Sequence, residues 1–137
     1  MKTITPGTEA RVEIVTDERH TADAAGNSGV KVLGTAAVIV FLEDAAHRAI
    51  ADAYDAGEVS VGIAFDVRHV GAALAGAVVD ASARVIDVDD RRVSFAVEAR
   101  HEDRVLMTGT HQRAVVDLER FLARQALDRT SRPESKP

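Results

Sequence analysis

The sequence has no cysteine and no tryptophan, only three prolines, and aromatic residues at 4% of its 137 positions. Without cysteine there are no disulfides and no thiolate chemistry, which fits a reducing cytosol. With so few rings the core must be built from Val, Ile, Leu and Ala, small side chains that pack closely but bury less area each. Such a core gains from association, so an oligomer is expected. No apolar run reaches the ~20 residues of a membrane span. The opening Met1-Lys2-Thr3-Ile4-Thr5-Pro6 lacks the apolar stretch of a signal peptide. Positive charge is scarce too: 17 Lys and Arg face 22 Asp and Glu, a net charge of −5. A binder of nucleic-acid backbones normally carries a basic face, so that class is disfavoured. The expectation is a cytoplasmic protein with no nucleic-acid or membrane partner. It should form one domain over residues 1–128, followed by a polar, disordered tail over 129–137.

What is present begins with an Ala- and Leu-rich run over residues 33–52, where Val38, Ile39, Leu42, Ala46, Ala49 and Ile50 recur at helical spacing. The spacing predicts a helix starting at Thr35, whose hydroxyl can cap it, and stopping near Gly57. Before it, residues 9–16 alternate as a strand, and residues 17–29 form an aperiodic loop. After it come four strands. Residues 58–70 place Val59, Val61, Ile63, Phe65, Val67 and His69 in one phase. Residues 77–88 bury Val79, Ala81, Ala83 and Val85, and the next strand buries Val93, Phe95, Val97 and Ala99. Residues 104–117 form the last strand, with a bulge expected at Gly109. A short amphipathic helix over 118–127 closes the order. One helix cannot cover both faces of a sheet, so it should lie across one concave face of a bent antiparallel sheet of about five strands. This is an α+β arrangement of the hotdog type.

Three polar residues stand out on the helix–strand unit. Glu43 lies within the apolar run and reads either as a surface partner of His47 or Arg48, or as a general base or nucleophile. His69 ends a strand and reads either as an edge residue or as a general base. Thr35 sits at the helix start, where free N–H groups can also hold an oxyanion. Arg91, Arg92 and Arg113 are candidates for meeting nucleotide phosphates, the first two reading more simply as a solvated hairpin. His20, His47, His69, His101 and His111 lack metal-ligand spacing, so no metal site is expected.

From about Val32 to Arg124 the chain resembles the hotdog-fold acyl-CoA thioesterases of the fluoroacetyl-CoA thioesterase type. The resemblance rests on Gly34-Thr35, on Leu42-Glu43 with Ala45, and on Val61-Gly62 leading to Val67 and His69, with Gly76 following. Its closing signature is Gly109-Thr110-His111-Gln112-Arg113-Ala114-Val115-Val116-Asp117-Leu118-Glu119-Arg120-Phe121. What the resemblance implies is hydrolysis of a small acyl-CoA to a carboxylate and coenzyme A, with no cofactor besides the coenzyme A of the substrate. It implies Thr35, Glu43 and His69 as the catalytic set, and Gly62, Gly76 and Arg113 as substrate-binding residues. It further implies a homodimer, or a dimer of dimers, with the site at the subunit interface. The segment before Thr35 is small and polar where the fluoroacetyl-CoA enzyme carries aromatic lid residues, so a fluorinated acyl group is not implied. The competing reading is a non-catalytic hotdog domain that binds an acyl thioester or a small hydrophobic ligand.

Overall fold

The structure is a computed structural model that describes residues 1–131. Its elements run β1 (Glu9–Val15), α1 (Thr35–Ile50), β2 (Glu58–His69), β3 (Val78–Asp89), β4 (Arg92–His101), β5 (Arg104–Asp117) and α2 (Leu118–Ser131). Single 3₁₀ turns at Glu18–His20 and Ala51–Ala53 flank the first helix. All five strands join one antiparallel sheet in the order β1-β3-β4-β5-β2. Helix α1 lies across one face. Its buried Val38, Phe41, Leu42, Ala45, Ala46 and Ile50 join a core with the alternate residues of β3 and β4. This is the hotdog arrangement expected from the sequence, with the long helix and the short C-terminal one in place.

The strands follow their periodicity wherever pairing is regular. Val79, Ala81, Ala83 and Val85 of β3 and Val93, Phe95, Val97 and Ala99 of β4 are all buried, as two-residue alternation requires. Strand β2 departs from it. Its register with β5 slips between Gly62 and Ala64, so Ile63 is an extra residue in a bulge. The slip reverses the inward phase: Ser60 is buried before it, while Phe65 and Val67 are half-buried after it. The expectation of one phase along β2 is therefore corrected, and so is the bulge placed at Gly109. Gly109 pairs regularly with Val67 and Val97. A Cβ there would lie 2.1 Å from the Asp66 carbonyl oxygen, so close approach of two strands explains the glycine.

Other boundaries moved as well. Helix α1 ends at Ile50, ahead of the expected stop near Gly57, which instead takes a positive φ of 82° in the turn into β2. Helix α2 continues to Ser131, past the expected end at residue 127 and into the expected tail. The rest of that tail lies outside the described residues. The aperiodic segment before α1 is tied down by its backbone. A capping box on Asp17 starts the 3₁₀ turn, and Ala22 N–H donates to Val32 O at 2.8 Å. Gly34 N–H donates to His20 O at 2.8 Å, which sets the start of the helix against this segment. A Cβ on Gly34 would stand 3.2 Å from Ala22 N, so only glycine fits without displacement.

At the start of β2, Glu58 Oε2 accepts from Arg91 Nη1 at 2.6 Å, and Glu58 Oε1 lies 2.8 Å from the Met1 amino group. The Arg91 guanidinium first, then that amine, holds the Glu58 carboxyl down to about 2 from an ordinary value of 4.5. A depressed carboxylate value in the folded state stabilises it above the ordinary value, and the contribution is lost as pH falls toward the folded one. Denaturant midpoints measured between pH 5 and pH 2 should therefore fall more steeply for the wild type than for Glu58→Gln. Parallel curves would refute the linkage.

Candidate active site

Thr35, Ile39 and Glu43 follow i, i+4 spacing, so they form one row on the flank of α1. Strand β2 runs beside this flank in the opposite direction, bringing its last residue to the helix start and its middle to Glu43. Two clusters result.

At the first, Thr35 Oγ1 and His69 Nδ1 are 2.9 Å apart, and both residues are exposed. The helix is capped by Gly34 with no side-chain hydrogen bond, so the Thr35 hydroxyl is not the cap expected from the sequence. It is committed to His69 instead. The leading N–H groups of α1 converge beside this pair without a side-chain cap, a setting suited to developing negative charge. A hydroxyl hydrogen-bonded to an imidazole can pass its proton to the ring as it forms a bond to carbon.

At the second, Glu43 Oε2 lies 3.4 Å from Arg113 Nη1. Glycine at position 62 makes the room for it, since a Cβ there would stand 2.8 Å from Glu43 Oε2. Arg113 is buried and held from three sides: Nε donates to Ser60 Oγ at 2.7 Å, Nη2 to Ser60 O at 3.0 Å, and Nη1 lies 3.2 Å from His111 Nε2. Ser60 Oγ also bonds the Tyr54 hydroxyl, which lies 3.0 Å from His47 Nδ1. Burial, first of all, pushes the His111 imidazole below its ordinary 6.5, which favours the neutral ring.

Eight residues separate Thr35 from Glu43, about 12 Å along a helix axis. Among the described residues no hydrogen bond joins Glu43 to Thr35 or His69. Within one chain, then, the structure brings Thr35 to His69, and Glu43 to Gly62 and Arg113, in two clusters along one flank. Neither local partner considered for Glu43 pairs with it. Arg48 bonds Asp44 at 3.1 Å and His47 bonds Tyr54. Arg113, expected to meet the substrate, is interior, with Nη1 turned toward Glu43 and His111. Gly76 lies apart from both clusters, in the turn before β3. It has a φ of 97°, and its N–H donates to Thr16 O at 3.1 Å. Sequence reasoning missed Ser60, Tyr54 and His111. The alternation of His111, Arg113 and Val115, all buried, was the available signal for a polar pair on the inner face of β5.

The fold recurs in known enzymes. A fluoroacetyl-CoA thioesterase variant bound to fluoroacetate superposes with a TM-score of 0.86 at 27% identity, covering 91% of this chain and 98% of that one. A thioesterase superfamily member from Thermus thermophilus does so with a TM-score of 0.84 at 26% identity, covering 94% and 97%. The class is that of the hotdog thioesterases. The profile of the fluoroacetyl-CoA-specific thioesterase family matches residues 15–119. The fluoroacetyl-CoA thioesterase of Streptantibioticus cattleyicolor is 36% identical over 94 residues, 69% of this chain and 68% of that protein. The chain belongs to the fluoroacetyl-CoA-specific thioesterase family and is an acyl-CoA thioester hydrolase.

Proposed function

We propose that the chain hydrolyses a short acyl-CoA to the free acid and coenzyme A, using Thr35, His69 and Glu43 at a site completed by a second copy. The observation that carries this reading is the 2.9 Å contact between the Thr35 hydroxyl and the His69 ring at the uncapped start of α1. His69 takes a proton from the Thr35 hydroxyl, or from a water that this hydroxyl holds. The freed oxygen bonds to the thioester carbonyl carbon, the carbon–sulfur bond breaks, and the thiol leaves with the proton; where that oxygen is the threonine's, a water that gives its proton to His69 then splits the Thr35 ester to the free acid and restores the hydroxyl. Helix N–H groups face the oxyanion that forms on the way. Glu43, held by Arg113 above Gly62, supplies the carboxylate at the other end of the flank. Substrate chemistry is supported by a relative's structure with acetyl-CoA, at 27% identity, and by another with fluoroacetate and CoA, at 29%.

The sheet supports the second copy. Strand β2 is an edge of 12 residues whose outer backbone groups pair with no strand among the described residues. Long open edges are a template for pairing, and Ile63 on it and Val40 on the adjacent helix are both exposed. A homodimer joined there, alone or as half of a dimer of dimers, places both clusters at the interface. The test is thiol release from a panel of acyl-CoAs, from acetyl to medium chains, with light scattering at the same concentrations. Hydrolysis by a dimer is expected. Ligand-dependent thermal stabilisation without release would favour the non-catalytic binder, and a monomer at assay concentration would remove the shared site.

A further inference from the structure

His111 has no part in the chemistry above, yet it is among the most constrained side chains of the protein. It is 1% exposed and lies flat on Phe65, with ring centroids 3.7 Å apart and planes 11° apart, while Phe95 approaches at 5.9 Å. Its two nitrogens face neighbours with opposite demands. Nδ1 is 2.9 Å from the Ala64 carbonyl oxygen, which only accepts, so Nδ1 carries the hydrogen. Nε2 is 3.2 Å from Arg113 Nη1, which only donates, so Nε2 must present its lone pair. One neutral tautomer satisfies both.

Arg113 Nη1 has two hydrogens. One is taken by His111, and the remaining one is the donor available to Glu43 Oε2 at 3.4 Å. The opposite side of the guanidinium is fixed by Ser60 through Nε and Nη2. We propose that His111 is a positioning residue for the hydrolysis, its Nε2 fixing the Arg113 guanidinium so that Nη1 faces the Glu43 carboxylate over Gly62. This inference rests on Glu43 serving the reaction. The charged groups that reach His111 are Arg113 on its own strand and Glu43 on α1; β2 presents the Ala64 carbonyl and Phe65, and β4 presents Phe95. An imidazolium at this place would set N–H against N–H and bring a second positive charge to the guanidinium. Burial opposes that form, so the arrangement persists through neutral pH and fails on acidification below the ordinary histidine range.

Two variants separate positioning from packing. His111→Phe keeps an aromatic ring against Phe65 and removes the acceptor; His111→Gln offers an amide oxygen near the place of Nε2. In the full chain His111→Phe should lower kcat by about 10- to 100-fold, the scale on which losing the hydrogen-bond partners behind metal ligands costs activity. KM should change little, and His111→Gln should recover most of the loss. In an Arg113→Met background His111→Phe should cost nothing further, because the group it positions is gone. A folded His111→Phe with wild-type kcat, or equal losses in both variants, would overturn the proposal. So would a full additional loss in the Arg113→Met background. A readout free of turnover is nitrogen NMR of the wild-type ring, where a neutral Nδ1–H tautomer is expected at pH 7. An Nε2–H tautomer or an imidazolium there would refute it even if His111→Phe does not fold. If the wild type releases no thiol from any acyl-CoA while the ring shows the expected tautomer, the reading of the reaction fails and the geometry stands.

Discussion

His69→Ala should lower kcat for thioester hydrolysis by about 10²- to 10⁴-fold, the usual worth of a positioned general base. The His69 ring is the group within 2.9 Å of the Thr35 hydroxyl, and without it that hydroxyl has no proton acceptor in place. Thr35→Ala should cost a similar factor, and the two together little more than either alone, because they act as a unit. Thr35→Ser keeps the oxygen and should retain most of the activity. Neither side chain belongs to the buried core of the subunit, so thermal midpoints should hardly move. The check is steady-state thiol release by the four variants beside their melting curves. A loss below about 5-fold in His69→Ala would be too small for a base and would remove it from the mechanism. Additive losses would mean that the threonine and the histidine serve different steps.

Phe95→Ala should be the most damaging single change to the fold, at about 3–5 kcal/mol. Phe95 sits in the middle of β4, is wholly buried, and is the largest such side chain in a core otherwise made mainly of Val, Ala and Leu. Small neighbours cannot swing in to fill the space a ring leaves, so the cavity term adds to the lost transfer energy. The change also removes the second ring near His111. A domain of this size has about 5–15 kcal/mol to lose, so the variant approaches the unfolding threshold. Phe95→Leu keeps most of the volume and should cost less than about 1.5 kcal/mol. Denaturant unfolding of both variants decides the matter. A Phe95→Ala cost under about 1 kcal/mol would show that the sheet and α1 collapse onto the site.

How far the sequence could be read differed by element. Strands β3 and β4 were legible almost to the residue, because their buried side chains simply alternate, and the extra residue in β3, Ile86, falls just past its buried stretch. Strand β2 was legible in extent but not in phase, since a bulge is a property of two strands and Ile63 differs in no local way from Val61 or Phe65. Gly109 was misread for the same reason: what excludes a side chain there is the Asp66 carbonyl, more than forty residues away. The start of α1 was placed correctly but its cap was not, because the hydroxyl of Thr35 had a distant competitor in His69.

The sequence by itself determined the hotdog class, the order of elements and the identity of the residues worth testing. Alternation and helical spacing are local, and the family resemblance singled out Thr35, Glu43 and His69. Only the tertiary structure decided who their partners are. It joined Thr35 to His69 across the full length of β2. It also gave Glu43 to Arg113, seventy residues on, in place of the helix neighbours one turn away. Spacing along a chain constrains contacts within an element, whereas hydrogen bonds between elements depend on register, and register here turns on one extra residue in β2.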